Sequence, residues 1–451
     1  MNENYPLPQA FQAQIRAQLG PEADAYFAAL DQPYVRGLRL NPRKPLASGN
    51  LIEGLGESVP WQPETGRYLS QESTAGAHPL HEAGAYYIQE PSAMAAVAVL
   101  KPIPGERVLD LCAAPGGKST QIADALDGQG LLVSNEPVPG RAKILSRNLE
   151  RMGVVNGLTV SAEPEQLAPR WTGFFDAILV DAPCSGEGMF RRHPETRAEW
   201  TEQSPSGCAA RQKRILTSAW AMLRPGGRLV YSTCTLNHAE NEGVIQWMQE
   251  NFSDCESAAF SLPAGEGRTL DAPAGMLHLY PHQIRGEGHF VALLRKRGDE
   301  PPTPALAPGD ALAKPDKPLL QAYEAFARVT GASLPSANAR FGEALLSAPA
   351  LPPLQGIRVL RAGLQLGALK GKVFQPDHAL ALVLGESSGF PLVSISLSEA
   401  RAYLRGEVLP CPDEFSGFYL LFYEGLPLGF AKASNGQLKN HYPKGLRQQQ
   451  G

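Results

Sequence analysis

Asp181-Ala-Pro-Cys184-Ser-Gly186 and Ser232-Thr-Cys234-Thr235 carry the side chains best suited to covalent chemistry in this chain. A thiolate is a strong nucleophile, and a covalent intermediate divides one hard substitution into easier steps. An acid three residues before a thiol can stabilise charge that develops on a bound substrate. A lone cysteine is more often a small buried hydrophobe than a nucleophile. Around Cys184 the context reverses that default: Pro183 and Gly186 force an irregular loop, and binding residues concentrate on loops.

A third stretch, Cys112-Ala113-Ala114-Pro115-Gly116-Gly117-Lys118-Ser119, follows the apolar Arg107 to Leu111 and precedes a helical pattern with Ile122, Ala125 and Leu126. Strand, glycine turn and helix make a cradle in which bare backbone lets a ligand approach closely. The ending Gly117-Lys118-Ser119 resembles a phosphate loop, but that motif requires glycine where Cys112 stands. The dinucleotide pattern GxGxxG fails too, at Cys112 and Ala114. A ligand without a diphosphate fits better, and S-adenosylmethionine is the reading we adopt. Glu136, ending the next strand, is placed to accept hydrogen bonds from both ribose hydroxyls.

These features need a sheet to bring them together. Residues 105 to 297 alternate strand and helix, the signature of a doubly wound parallel α/β sheet. Strands are expected at Arg107 to Leu111, Gly130 to Asn135, Leu158 to Val160, Asp176 to Val180 and Arg228 to Tyr231, with a turn at Arg224-Pro-Gly-Gly227. Two more follow near Met276 to Tyr280 and His289 to Leu294. All four sites then lie at carboxyl ends of strands, where open α/β sheets bind ligands. In a methyltransferase-type sheet the fourth and fifth strands are neighbours, so Cys184 and Cys234 converge. Two thiols, one acid and a methyl donor suit one reaction. A thiolate adds to carbon 6 of a pyrimidine, carbon 5 takes the methyl group, and a base removes its proton so that the thiol leaves.

The three motifs together, with Tyr86 to Met94 and Arg224-Pro-Gly-Gly227, resemble those of Sun-type RNA (cytosine-5) methyltransferases. The ending Gly429 to Leu446 is similar to the PUA-like RNA-binding domain of the small-subunit ribosomal RNA methyltransferase F branch. The resemblance implies a Rossmann-like class I methyltransferase core. It implies Cys234 as covalent nucleophile, Cys184 as the thiol assisting adduct breakdown, and Asp181 beside both target base and cofactor. Ala113 to Ser119 and Glu136 would hold S-adenosylmethionine. Where the family often has Asp after the third strand, this chain has Ala162 followed by Glu163, which stays outside the expected site.

Five regions are expected: a small N-terminal RNA-binding module over 1–84, the core over 85–297, a Pro-rich linker over 298–318, a small α/β domain over 319–375, and the β-rich PUA-like domain over 376–451. In the last, strands are expected at Leu380 to Leu384, Phe418 to Phe422 and Leu428 to Lys432. Arg36, Arg39, Arg43 and Lys44 form a basic cluster that is either an RNA-facing patch or an ordinary charged surface. The formal charge of −4 argues against a nucleic-acid binder, but its distribution is uneven. Residues 301–451 hold 14 Lys and Arg against 11 Asp and Glu, and the basic tail with Lys432, Lys439, Lys444 and Arg447 has no acid. Six scattered cysteines without a CxxC pair exclude a structural zinc site and a disulfide framework, and no metal is expected. No apolar run reaches the roughly 18 residues of a membrane span. A monomeric cytoplasmic enzyme acting on ribosomal RNA or the small ribosomal subunit is the expectation. The alternatives are a cytosine-5 methyltransferase for tRNA, a methyltransferase for a small molecule or protein, and a non-catalytic RNA-binding protein.

Overall fold

The computed structural model describes residues 5–299 and 312–448. Most of the expected Pro-rich linker, residues 300–311, lies outside the described residues.

The central sheet has nine strands. Its path runs Cys255–Ser257, His289–Lys296, Leu223–Thr233, Phe175–Asp181, Arg107–Asp110, Leu131–Asn135, Gly157–Ser161 and Arg358–Ala362, and Met276–Leu279 pairs with His289–Lys296 off that path. The five strands from Leu223–Thr233 to Gly157–Ser161 are parallel, as predicted. Their residues alternate between two cores. Leu109, Leu111, Val133, Ile178 and Val180 face one, and Val108, Leu132, Ala177 and Leu179 face the other. Both faces are covered, so these strands read as continuous apolar runs. From Arg107–Asp110 the sheet grows in both directions, and that reversal opens a crevice at the carboxyl edge.

Several details differ from expectation. Arg224 to Gly227 is not a free turn: it lies inside Leu223–Thr233, where the register shifts between Phe175 and Ala177. Tyr86–Ile88 completes a four-stranded N-terminal sheet with Leu55–Ser58, Gly66–Leu69 and Arg36–Leu40, so that sheet runs past residue 84. Arg358–Ala362 leaves its own region and adds antiparallel to Gly157–Ser161 in the core sheet, with Arg361 bridging Glu150 at 2.8 Å. Leu380 to Leu384 is not a strand. His378–Val383 is a short helix whose first turn is capped by the Asp377 carboxylate, which accepts from Ala379 N at 2.9 Å. An apolar run buried all round has no period by which to tell helix from strand.

The basic cluster of the N-terminal module is neither an RNA-facing patch nor an ordinary surface. Arg39 is fully buried and pairs with Asp124 while donating to Thr120 and Gln89. Arg43 joins the same Asp124 at 3.1 Å, and Lys44 is buried, donating to Ala83 O and Arg151 O. Arg36 donates to three carbonyls, those of Ser70, Gln71 and Ser73. Arg39, Arg43 and Lys44 fasten the module to the core, while Arg36 ties a loop of the module itself. Its two helices, Gln9–Leu19 and Ala23–Leu30, bury Phe11, Ile15 and Tyr26 against Phe190, Leu236 and Tyr280.

Beyond the core lie a four-stranded and a five-stranded sheet. The basic ending is no tail. Leu426–Ser434 and Gln437–Asn440 are strands of the five-stranded sheet, and Tyr442 is buried. Lys432, Lys439 and Lys444 are exposed from that framework. Among the described residues no helix is long and apolar enough to cross a membrane.

Candidate active site

A cavity of about 680 Å³ opens at the carboxyl edge of the sheet, lined by Cys112, Ala114, Glu136, Asp181, Cys184 and Cys234 among others. A smaller one of about 230 Å³ adjoins it and is lined by Asp110, Ala113, Pro115, Gly117, Lys118 and Asp181. Asp181 and the Cys112 to Ala114 turn border both.

The turn owes its shape to its neighbours. Gly116 has φ +116°, and a β-carbon there would meet Leu145 at 3.3 Å. Arg141 donates to Ala114 O at 3.1 Å and Asn148 to Pro115 O at 2.9 Å, so the helix Pro139–Arg151 ties the turn down. Ser119 lines neither cavity. It is buried and donates to Asp110 at 2.6 Å, supporting the turn from behind. Burial pushes the Asp110 carboxyl up to about 7, and its Oδ1 has no partner. Glu136 sits at the rim of the larger cavity, accepting from Val138 N at 3.0 Å. Val138, half exposed, offers a flat apolar patch beside it.

Lys118 lines the smaller cavity and reaches Asp181, which borders both. Its Nζ lies 2.7 Å from Asp181 Oδ2, and Ser232 donates to Asp181 Oδ1 at 2.7 Å. Burial disfavours charge on both partners, but their attraction overrides it. Asp181 is held below the usual carboxylate range, and Lys118 is pushed above the usual amine range. His289 was not foreseen. Its Nε2 is 3.8 Å from Asp181 Oδ1, and burial, aided by Lys118, pushes its pKa down to about 3, so the ring is neutral.

Cys184 Sγ and Cys234 Sγ are 3.2 Å apart. The strands that carry them are adjacent and parallel, with Asp181 opposite Ser232, so the two loops leave the sheet side by side. Either sulfur can donate to the other; the bond to Cys234, followed by burial, pushes the Cys184 thiol well up.

Other residues at the site escaped sequence reading. Arg141 lies 3.5 Å from Glu136, and an Arg one turn into the helix after that acid was the available signal. Glu163, left outside the expected site by the sequence, lines the larger cavity and caps the helix Pro164–Leu167, while Ala162 is buried. Arg211 and Arg214, exposed on the helix Ser204–Met222, line the thiol side of the mouth. Beneath the thiols lie two buried acids, Glu187 and Glu240, that nothing in a motif reading marks.

Comparison with known proteins covers this architecture from end to end. Family models match for the 16S rRNA methyltransferase RsmB/F over residues 97–295 and the N-terminal domain of 16S rRNA methyltransferase RsmF over 7–91. The RsmF first C-terminal domain matches over 325–384 and the RsmF PUA domain over 390–448. The ribosomal RNA small subunit methyltransferase F of Erwinia tasmaniensis is 35% identical, aligned over 98% of this chain and 96% of its own length. That of Klebsiella pneumoniae gives the same figures. Among solved structures, a methyltransferase homolog protein from Pyrococcus horikoshii superposes with TM-score 0.54 at 32% identity, covering 64% of this chain and 95% of its own. NSun6 from the same organism shares the fold, with TM-score 0.56 at 22% identity over 65% of this chain and 99% of its own. The core is thus a Rossmann-like methyltransferase domain between an N-terminal domain and a C-terminal PUA domain, and the chain belongs to the ribosomal RNA small subunit methyltransferase F family.

Proposed function

We propose that the protein methylates carbon 5 of a cytidine in small-subunit ribosomal RNA, with S-adenosylmethionine as methyl donor and Cys234 as covalent nucleophile. The observation that carries this reading is the 3.2 Å separation of the two sulfurs at the rim of one cavity, beside the Asp181–Lys118 pair.

The residues fit the donor. Glu136 has carboxylate oxygens at the cavity rim for ribose hydroxyls, Val138 offers an apolar face for a purine, and the unpartnered Asp110 Oδ1 suits an ammonium group. When bound, S-adenosylmethionine supplies an electrophilic methyl group. Cys234 adds to carbon 6 of the cytosine. Once carbon 5 has taken the methyl group, its proton passes to a base and the bond to Cys234 breaks; Cys184, in contact with Cys234, assists this breakdown. Asp181 faces the base, and Lys118 keeps it ionised. The negative charge that addition leaves on the ring is stabilised by the Lys118 ammonium, which Asp181 orients before substrate arrives. The exposed Lys432, Lys439 and Lys444 of the PUA domain contact RNA phosphates, and the protein works as a monomer in the cytoplasm, where its RNA substrate is.

The test is covalent trapping. Cys184→Ala incubated with small-subunit ribosomal RNA and the donor should yield a denaturation-resistant protein–RNA adduct, absent with Cys234→Ala. Mapping of 5-methylcytidine in RNA from a deletion strain should show the loss of one or more sites. If neither variant traps RNA that the wild type methylates, the roles assigned to the thiols are wrong. If the lost modification lies in tRNA, the substrate is wrong.

A further inference from the structure

Glu240 is fully buried, and no Lys, Arg or His pairs with it among the described residues. Charge without a cation is costly inside a protein unless donors surround it. Here every partner donates. Ser185 N approaches Oε2 at 3.0 Å, Gln212 Nε2 approaches the same oxygen at 2.7 Å, and Asn237 Nδ2 approaches Oε1 at 2.8 Å. The Ser185 hydroxyl completes the set. That is the pattern of a carboxylate accepting on both oxygens.

The donors come from three separate elements. Ser185 follows Cys184 directly, Asn237 lies three residues past Cys234, and Gln212 sits on the helix Ser204–Met222. Gln212 also donates to Pro183 O at 3.1 Å, just before Cys184. The backbone of Glu240 is fixed as well: its N–H donates to Asn237 Oδ1 at 2.9 Å and its carbonyl accepts from the Tyr231 hydroxyl at 2.7 Å. A further bond joins the loops at their base, from Gly188 N to Cys234 O at 2.9 Å. Both thiol loops therefore hang from one carboxylate. On the Cys184 side the carboxylate is held by two donors of Ser185, the residue that follows Cys184. Glu187, the second buried acid, accepts from Leu236 N and Asn237 and from Gln14 of the N-terminal helix; it braces the far end of the same loop.

We propose that Glu240 is a positioning residue that sets the division of labour between the two thiols. It holds their loops at contact distance, and its negative charge, bound by Ser185 next to Cys184, opposes a second negative charge on that thiol, so Cys234 attacks. The inference rests on the thiol roles proposed above and adds the group that enforces them.

The experiment is competitive alkylation of the full-length protein with iodoacetamide, read by peptide mass mapping. It needs no RNA, so its outcome is separable from the choice of substrate. The wild type should label at Cys234 well before Cys184. Glu240→Gln, which keeps the size and loses the charge, should raise the Cys184-to-Cys234 labelling ratio about tenfold, the effect of one unit in relative thiol ionisation. Glu240→Asp, which keeps the charge, should preserve the selectivity. In adduct trapping, Glu240→Gln should accumulate protein–RNA adduct where the wild type releases it. A ratio that moves equally in the Gln and Asp variants would mean a purely structural clip and overturn the proposal. So would an unmoved ratio in Glu240→Gln. If Glu240→Gln does not fold, Ser185→Ala removes one donor on the Cys184 side while leaving the carboxylate. With the charge retained and one donor fewer to offset it, the Cys184-to-Cys234 ratio should fall below the wild-type value, and a rise or no shift there would overturn the proposal.

Discussion

The two halves of the cavity are built by different means. The half proposed for the cofactor is shaped by backbone, with few side chains added: the Ala113 to Gly117 turn, a helix whose side chains hold the turn's carbonyls, and the single carboxylate of Glu136 bound to Val138 N. The thiol half is made of side chains: Asp181 between Lys118 and Ser232, two sulfurs in contact, and a buried carboxylate tying their loops. A backbone surface lets a ligand lie close and tolerates change in the side chains behind it. A side-chain network fixes reactive atoms within tenths of an ångström but fails when a single member is lost.

Substitutions on each side should separate the halves. Cys234→Ala strikes the thiol half hardest: methyl transfer should fall about a thousandfold or more, with donor affinity measured by calorimetry unchanged. Lost donor affinity in that variant would mean that the halves are not independent. Glu136→Ala is the mirror experiment. Donor affinity should weaken by roughly ten- to a hundredfold through lost charge-assisted hydrogen bonds, while thiol labelling stays as in the wild type.

Lys118→Met tests the border between the halves through pH. The carboxyl of Asp181 is depressed in the folded protein, so the stability this pair contributes is present above the unfolded carboxylate pKa. It is lost as pH falls through the depressed folded value. Urea titration should therefore show Lys118→Met less stable than wild type by about 1–3 kcal/mol at pH 7. The gap should close in acid, and a gap independent of pH would sever the link to Asp181. The smallest effect should come from outside the cavity. Lys432→Gln with Lys439→Gln should weaken RNA binding a few-fold and flatten its salt slope by about 1–2, with activity at saturating RNA retained. Both residues are exposed on strands, so the fold should survive.

What could be read early was local. Arg107 to Ser119 announces strand, turn and helix because each preference acts within a few residues. The apolar runs of the parallel strands and the placement of Cys184 and Cys234 at neighbouring strand ends follow from the same short-range pattern plus one topological rule. The basic cluster misled because charge on paper carries no burial. Arg39 looks like a surface cation until Asp124, 85 residues away, is brought to meet it. Leu380 to Leu384 misled because a short apolar run has no period to read.

By itself, then, the amino-acid order determined the elements, the class of sheet and the edge where chemistry sits. Only the tertiary structure decided that two sulfurs touch, that Lys118 serves Asp181, that Arg358–Ala362 joins the core, and that Glu240 ties two loops without a cation. The reason is physical. Secondary structure and burial pattern come from interactions between near neighbours along the chain. Contacts between distant residues depend on how whole elements pack, and no short stretch of sequence contains that information.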